Sequence, residues 1–529
     1  MTFMMKHETN DGKEAHDSVP TARRWRAAAL VGMGLAAVLP AALSAAEAPR
    51  DLRSEATAAL KRAATFYRTQ VASHGGYAYF YTPDLSERWG EGVGTRDQVW
   101  VEPPGTPAVG RAYLEAYAAT HDPFYLEAAT ETGQALVYGQ LKSGGWRQTI
   151  DFNPKGDRSG DYRNGRGHGM NYSSLDDDQT QAAIQFMVRL DQALDFKNEK
   201  IHEVTLFALN SLLQAQFPNG GFPQGWKEPA PNKPIIKAHY PKEWPRLWPH
   251  EAYHTYYTLN DGLVGTVSDA LLLAYETYHD ERYKQALARL GDFLILAQMP
   301  EPQPAWCQQY NFNMEPTWAR KFEPPAVCGL ESEDAVKTLM KIYRVTGDRK
   351  YLAPLPRAIA YLQTCLLPDG RMPRYRELET NRPLYMNRKP GVSGSSNAPG
   401  YYDLTYSDKD LPKHYGWKQP SSINELAAEF AAIDQPGAAK VVDGQTFTEA
   451  GKLIAVARVA GQEATAEELA PDVQRIIAAL DDQGRWITTH DGSKLVGQPN
   501  FKKGFRYIGS NVFNHHVEQL SAYIAATAK

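Results

Sequence analysis

"HDPFYLEAATETGQALVYGQLKSGGWRQ", residues 121–148, opens on a polar turn, runs on with apolar residues at i, i+3, i+4 and i+7, and ends in a Gly-Gly turn that delivers Trp146. That spacing lines one face of an α-helix. The unit returns as "NEKIHEVTLFALNSLLQAQFPNGGFPQ" (198–224), "HDERYKQALARLGDFLILAQMPEPQPAWCQQ" (279–309) and "TGDRKYLAPLPRAIAYLQTCLLPDGRMPRY" (346–375), and more weakly as "QEATAEELAPDVQRIIAALDDQGRWITTH" (462–490). Most copies close on a large apolar residue: Trp146, Phe222, Trp306, Met372, Trp486. Further helical patterns precede them at 107–119, 178–195, 262–277 and 331–345. The rhythm of helix, short turn, helix and returning loop predicts an all-α fold. It is a toroid or incomplete barrel of helical hairpins, whose loops at one end build a substrate groove. The aromatic residues after the Gly turns either line that groove or cap the core of each hairpin.

Outward from the repeat, residues 22–46 read as an export signal: Arg23, Arg24 and Arg26 lead an apolar run that Pro40 breaks before the small residues Ser44, Ala45 and Ala46. Ordinary secretion fits this order better than twin-arginine export. Residues 1–46 are therefore expected to be removed and the protein to be secreted or periplasmic. No later apolar run is long enough to span a bilayer, so no membrane association is expected after cleavage. Residues 47–422 read as the catalytic toroid and 423–529 as further helices of the same domain. The three cysteines, Cys307, Cys328 and Cys365, permit at most one disulfide and match no zinc spacing. With 57 Lys+Arg against 61 Asp+Glu and a net charge of −4, the chain lacks the basic excess of a nucleic-acid binder. A monomer is expected.

Long loops at 147–174, 224–258 and 376–422 interrupt the rhythm, and such loops in a compact domain are usually functional. Polar residues cluster where loops enter helices. Asp176-Asp177-Asp178 and Asn260-Asp261-Gly262 each open a helical pattern. Adjacent carboxylates repel unless a cation or a helix N-terminus offsets them, so the residues read either as hard oxygen ligands for Ca²⁺ or as plain helix caps. Two basic clusters follow, Trp318-Ala319-Arg320-Lys321-Phe322-Glu323 and Thr380-Asn381-Arg382-Pro383-Leu384-Tyr385 with Arg388 behind. Acidic residues to hold a cation and guanidinium groups to fork onto a carboxylate describe a site for an acidic sugar.

At these residues the sequence resembles the pectate lyases of polysaccharide lyase family 10. "WARKFEPPAVCGLES" (318–332) and "YRELETNRPLY" (375–385) are similar to that family's Arg-containing segments. "TLNDG" (258–262) and "SLDDDQTQAAIQFM" (174–187) are similar to its acidic elements. The resemblance implies a helical toroid and Ca²⁺-assisted anti-β-elimination on polygalacturonate or a related polyuronide. It further implies Asp176, Asp177 and Asp261 at the metal, Asp261 also among the catalytic residues, Arg320 as the base and Arg382 on the substrate carboxylate, the two Arg roles being exchangeable. Arg388, Trp146, Trp306 and Tyr385 are expected to contact substrate. An Arg base requires surroundings that lower its pKa. Departures from the family pattern fall at 224–258, at Asn387-Arg388-Lys389 and over 420–529. Two other readings stand beside the lyase. One is a glycoside hydrolase pairing Asp176 or Asp177 with Asp261 or Glu331; the other is a glycan-binding protein without turnover.

Overall fold

The computed structural model describes residues 51–388, 401–413, 415–435, 458–459, 462–497 and 499–528. The export-signal pattern and Lys389 lie outside them. From Asp51 onward the chain forms one compact unit. Its helices among the described residues are α1 (Leu52–Phe66), α2 (Thr106–Thr120), α3 (Pro123–Gly139), α4 (Gln179–Ala193), α5 (Glu199–Ala215), α6 (Leu263–Tyr278), α7 (Glu281–Ala297), α8 (Gly329–Thr346), α9 (Leu355–Thr364), α10 (Ile423–Ile433), α11 (Ala466–Ala478) and α12 (Ser510–Ala526).

The inner row packs in the order α12, α2, α4, α6, α8, α10, and α3, α5, α7 and α9 back it from outside, with α1 and α11 behind α12. This is an (α/α) toroid of helical hairpins. The outer helices start where capping chemistry says they should. Asp122, Asn198 and Asp280 accept from the backbone N–H of Phe124, Ile201 and Arg282, and Thr465 with Glu468 forms a capping box on α11. In α7 the buried face is Tyr283, Ala286, Leu287, Leu290, Phe293, Leu294 and Ala297, the spacing of a single helical stripe.

Two repeated devices lock each hairpin to the next. Gln140, Gln216 and Gln298 stand just past the ends of α3, α5 and α7. Each buried amide donates to a carbonyl in its own turn (Gly144, Gly220, Pro304) and to one at the next outer helix (Val204, Ala286, Pro354), all at 2.9–3.0 Å. Arg163, Arg289 and Arg357 donate to the three amide oxygens in turn. In the second of these turns Gly220 has φ +92, and a Cβ there would meet the Arg289 carbonyl oxygen at 1.8 Å, so only glycine serves. The aromatic residue after the turn then folds inward: Trp146, Trp306 and Trp486 donate their indole N–H to the carbonyls of Leu136, Leu294 and Ile476.

Short antiparallel ladders clip the open end of each hairpin. The strand before an inner helix pairs with the strand after its outer partner: Gln98–Trp100 with Thr149–Asp151, Ser173–Ser174 with Gly225–Trp226, Tyr257–Thr258 with Gln309–Tyr310, and Ala326–Cys328 with Tyr375–Glu377. The last pair grows into a four-stranded sheet through Pro383–Arg388 and Tyr402–Thr405. Near the C-terminus, Ile487–Thr489 and Arg506–Gly509 join Phe80–Tyr81, Arg88–Gly90 and Gly92–Gly94 in a five-stranded sheet. The sequence reading expects a structureless loop at 376–422; its described part carries the strands Pro383–Arg388, Tyr402–Thr405 and Lys418–Gln419. Most are two to four residues long, too short for alternation to register. All three cysteines are buried and free.

Candidate active site at the entrances to the inner helices

Two turns of the same shape lead into α4 and α6. Leu175 and Leu259 are buried anchors, and the next three residues, Asp176-Asp177-Asp178 and Asn260-Asp261-Gly262, form a tight turn. Two successive residues of each turn are left-handed: Asp177 (φ 43) and Asp178 (φ 61), Asp261 (φ 53) and Gly262 (φ 70). Asp is one of the few non-glycine residues that accept this region. Neither α4 nor α6 has a side-chain cap bond at its N-terminus, unlike outer helices α3, α5 and α7. No backbone N–H of α4 or α6 thus takes up the carboxylates of Asp176, Asp177 and Asp261, which are left for other partners.

Asp176, Asp177 and Asp261 converge, with one oxygen from each within 4.8 Å of the others. Asp176 accepts from Gln224 Nε2 at 2.7 Å. Loss of hydration and mutual repulsion raise all three: Asp176 to about 6, through burial and then Asp177; Asp177, which keeps some contact with solvent, to about 7 through desolvation and then Asp261; Asp261 to about 7 through burial, against the pull of Arg320.

Two guanidinium groups meet the same carboxylate. Arg320 Nη2 and Arg374 Nη2 lie 3.7 Å from Asp261 Oδ2 and Oδ1 respectively. Each is held by a buried glutamate. Arg320 donates to Glu323 from Nη2 at 2.5 Å and from its backbone N–H at 2.9 Å, and the Tyr415 hydroxyl donates to Glu323 as well. Arg374 donates to Glu331 at 2.9 Å and to the Asn260 side-chain oxygen at 3.1 Å, and its guanidinium lies over the Tyr415 ring. Burial alone would lift Glu323, but Arg320 pulls it down to about 2. Burial would lower Arg320, yet Glu323 and Asp261 outweigh it and raise its pKa. The surroundings thus do the opposite of what an Arg base requires.

The structure brings together Asp176, Asp177, Asp261 and Arg320. It does not bring Arg382 to them: Arg382 is exposed, with its guanidinium 3.4 Å from the Tyr406 ring centroid, and Arg374 takes the place beside Asp261. Arg388 is exposed and lies over Tyr401. Trp146 and Trp306 are 0% exposed and belong to the core, so they offer no face to a sugar, and Tyr385 is buried in a cluster with Trp318 and Trp417. Sequence reasoning passed over Arg374, the penultimate residue of the fourth repeat, and over Glu323, three residues after Arg320 and in hydrogen-bond reach of it. Glu91 and Glu102, which reach Asp177 from before α2, were also missed.

Among solved structures the chain is similar to a mutant family 10 polysaccharide lyase from Cellvibrio cellulosa in complex with trigalacturonic acid, at 16% identity and TM-score 0.42, over 62% of this chain and 99% of that one. It is also similar to cellobiose 2-epimerase from Spirochaeta thermophila (15% identity, TM-score 0.40, 91% of this chain and 98% of that one). A third likeness is to the GH76 α-mannanase of Bacteroides thetaiotaomicron (11%, TM-score 0.38, 90% and 95%). No curated protein matches. The stretch from the Gln140 amide through the two left-handed turns to Arg320 and Glu331, residues 140–348, matches the family model of the pectic acid lyases.

Proposed function

We propose that the protein is a polysaccharide lyase that cleaves polygalacturonate or a closely related polyuronide by β-elimination assisted by Ca²⁺, and that it acts outside the cytoplasm. One observation carries this reading: Asp261 lies between two guanidinium groups and also belongs to a trio of carboxylates. Elimination removes the C5 proton, α to the uronate carboxylate, and breaks the C4–O bond. The carboxylate's charge opposes that step until positive groups neutralise it. Arg320 and Arg374 are protonated, fixed by buried glutamates and turned toward one point, which suits them to pair a uronate carboxylate without reorganising.

The carboxylate trio fits a hard cation. Its oxygens are within 4.8 Å of each other, about twice a ~2.4 Å Ca–O distance. Asp176, Asp177 and Asp261 would hold Ca²⁺, which would supply two positive charges beside the substrate carboxylate. The same closeness disfavours an inverting hydrolase that used these carboxylates, because that mechanism needs roughly 6.5–9.5 Å between them. The test is incubation with polygalacturonate, with Ca²⁺ or chelator, following the ultraviolet absorbance of the unsaturated product. Rising absorbance supports the lyase. New reducing ends without absorbance would point to hydrolysis, and no product at all to a binding protein.

A further inference from the structure

We propose that Tyr415 is a positioning residue of the candidate active site: it fixes the two guanidinium groups, Arg320 and Arg374, at the spacing in which both meet one uronate carboxylate. The inference rests on the reading of those two groups as partners of that carboxylate. Tyr415 lies beyond residues 140–348, the stretch matched by the pectic acid lyase family model. It acts through other side chains rather than on the reacting atoms.

Strand pairing carries Tyr415 to the site. Lys418–Gln419 pairs antiparallel with Met372–Pro373, and the Arg374 backbone N–H donates to the Trp417 carbonyl at 2.9 Å. The buried Trp417 ring packs 5.0 Å from that of Tyr415, and its indole N–H donates to the Pro412 carbonyl at 2.9 Å. These contacts set Tyr415 beside Arg374 before any substrate arrives.

From there Tyr415 reaches both groups. Its hydroxyl donates to Glu323 Oε1 at 2.9 Å, the same oxygen that accepts from Arg320 Nη2 at 2.5 Å. Its ring centroid is 4.6 Å from the Arg374 guanidinium carbon. The ring also meets Phe322 edge-on at 4.8 Å, and Phe322 lies 5.2 Å from the Arg320 guanidinium carbon. The Tyr375 hydroxyl, 2.6 Å from that of Tyr415 and 2.8 Å from Gln308 Oε1, holds the phenol end in place. Arg320 and Arg374 otherwise depend on separate glutamates, Glu323 in a loop and Glu331 in α8. Two like charges on long, rotamer-rich side chains would turn apart without a common tie. Tied in advance, they need no reorganisation when charge develops on the substrate.

The test is a double-mutant cycle read by the unsaturated product from polygalacturonate with Ca²⁺, each variant being checked for folding by circular dichroism. Tyr415→Phe keeps the ring and removes the hydroxyl. It should lower kcat/KM about tenfold in wild type but less than about twofold in an Arg320→Gln background, because its effect runs through Arg320. Tyr415→Leu, which also takes the ring from Arg374, should lose about a further threefold or more. A tyrosine that only supports the fold would cost the same in both backgrounds. Equal losses in the two backgrounds, or no loss from Tyr415→Phe, overturn the proposal and leave the lyase standing. A Leu variant no worse than Phe overturns the link to Arg374. If wild type forms no unsaturated product, the lyase reading fails, and calorimetric titration with trigalacturonic acid decides the proposal. Binding about tenfold weaker in Tyr415→Phe keeps it; unchanged binding, or none in wild type, overturns it.

Discussion

Replacing Arg374 by Met should reveal how much of its role is structural. Arg374 is 6% exposed, and its partner Glu331 is 1% exposed. Without the guanidinium, Glu331 would be an unpaired buried charge, a loss of about 3–5 kcal/mol if it stayed ionised. It can instead take up a proton, which caps the loss. From its ordinary pKa of 4.5, protonation at pH 7 costs about 1.36 kcal/mol for each of 2.5 units, roughly 3.4 kcal/mol, and at pH 5.5 only about 1.4 kcal/mol. Urea unfolding of Arg374→Met should therefore show a deficit that shrinks by about 2 kcal/mol between those two pH values. Adding Glu331→Gln should restore most of the stability at pH 7. Turnover on polygalacturonate should stay lost in the double variant, because nothing replaces the cation beside Asp261. If the double variant regains activity, Arg374 is a structural partner of Glu331 and the assignment to substrate is wrong. If the single variant's deficit is flat with pH, Glu331 is not the group left unpaired.

Three other outcomes are expected. Trp146→Phe should cost about 1–3 kcal/mol through the lost bond to Leu136 and the cavity left behind, while KM stays unchanged; a raised KM would restore Trp146 to the groove. Arg320→Gln should lower kcat/KM at least tenfold without moving the alkaline limb of the pH–rate profile, since a neutralising cation is lost rather than a base; a shifted limb would return the base role to Arg320. In chelator, Asp177, Asp178 and Asp261 are each raised to about 7 and Glu102 to about 9, so the native state binds protons that the unfolded chain does not. Stability without metal should then fall as pH rises from about 4 to 8, and the gain in Tm on adding Ca²⁺ should grow over the same range. A Ca²⁺ shift independent of pH would count against carboxylate ligands.

The helical rhythm was legible because burial imposes a period on every hairpin: the stripe Tyr283, Leu287, Leu290, Leu294 of α7 is as visible in the sequence as in the structure. Asp176, Asp177, Asp261 and Arg320 were legible because each sits within its own motif. What escaped depends on direction and distance. Trp146 could have faced in or out of its turn, and only the carbonyl of Leu136 decides. Arg382 and Arg374 flank one strand pair, and which of them faces Asp261 follows from a register fixed by the pairing of Tyr375 with Leu384, which no local pattern announces. Glu91 and Glu102 are single glutamates with no spacing to mark them, and they come close to Asp177 only in the folded chain.

The ladders at the open ends of the hairpins have a further consequence. Each holds the entrance to one inner helix, and a carboxylate stands at every such entrance from α2 to α8: Glu102, Asp177, Asp261, Glu331. The scaffold behind the first three entrances, with a glutamine past the outer helix and an aromatic residue after the turn, does not depend on which residue stands there. The ring therefore works as a set of sockets. Evolution can rewrite the chemistry of one socket by changing a residue at the head of a helix, while the hairpin that carries it is inherited intact.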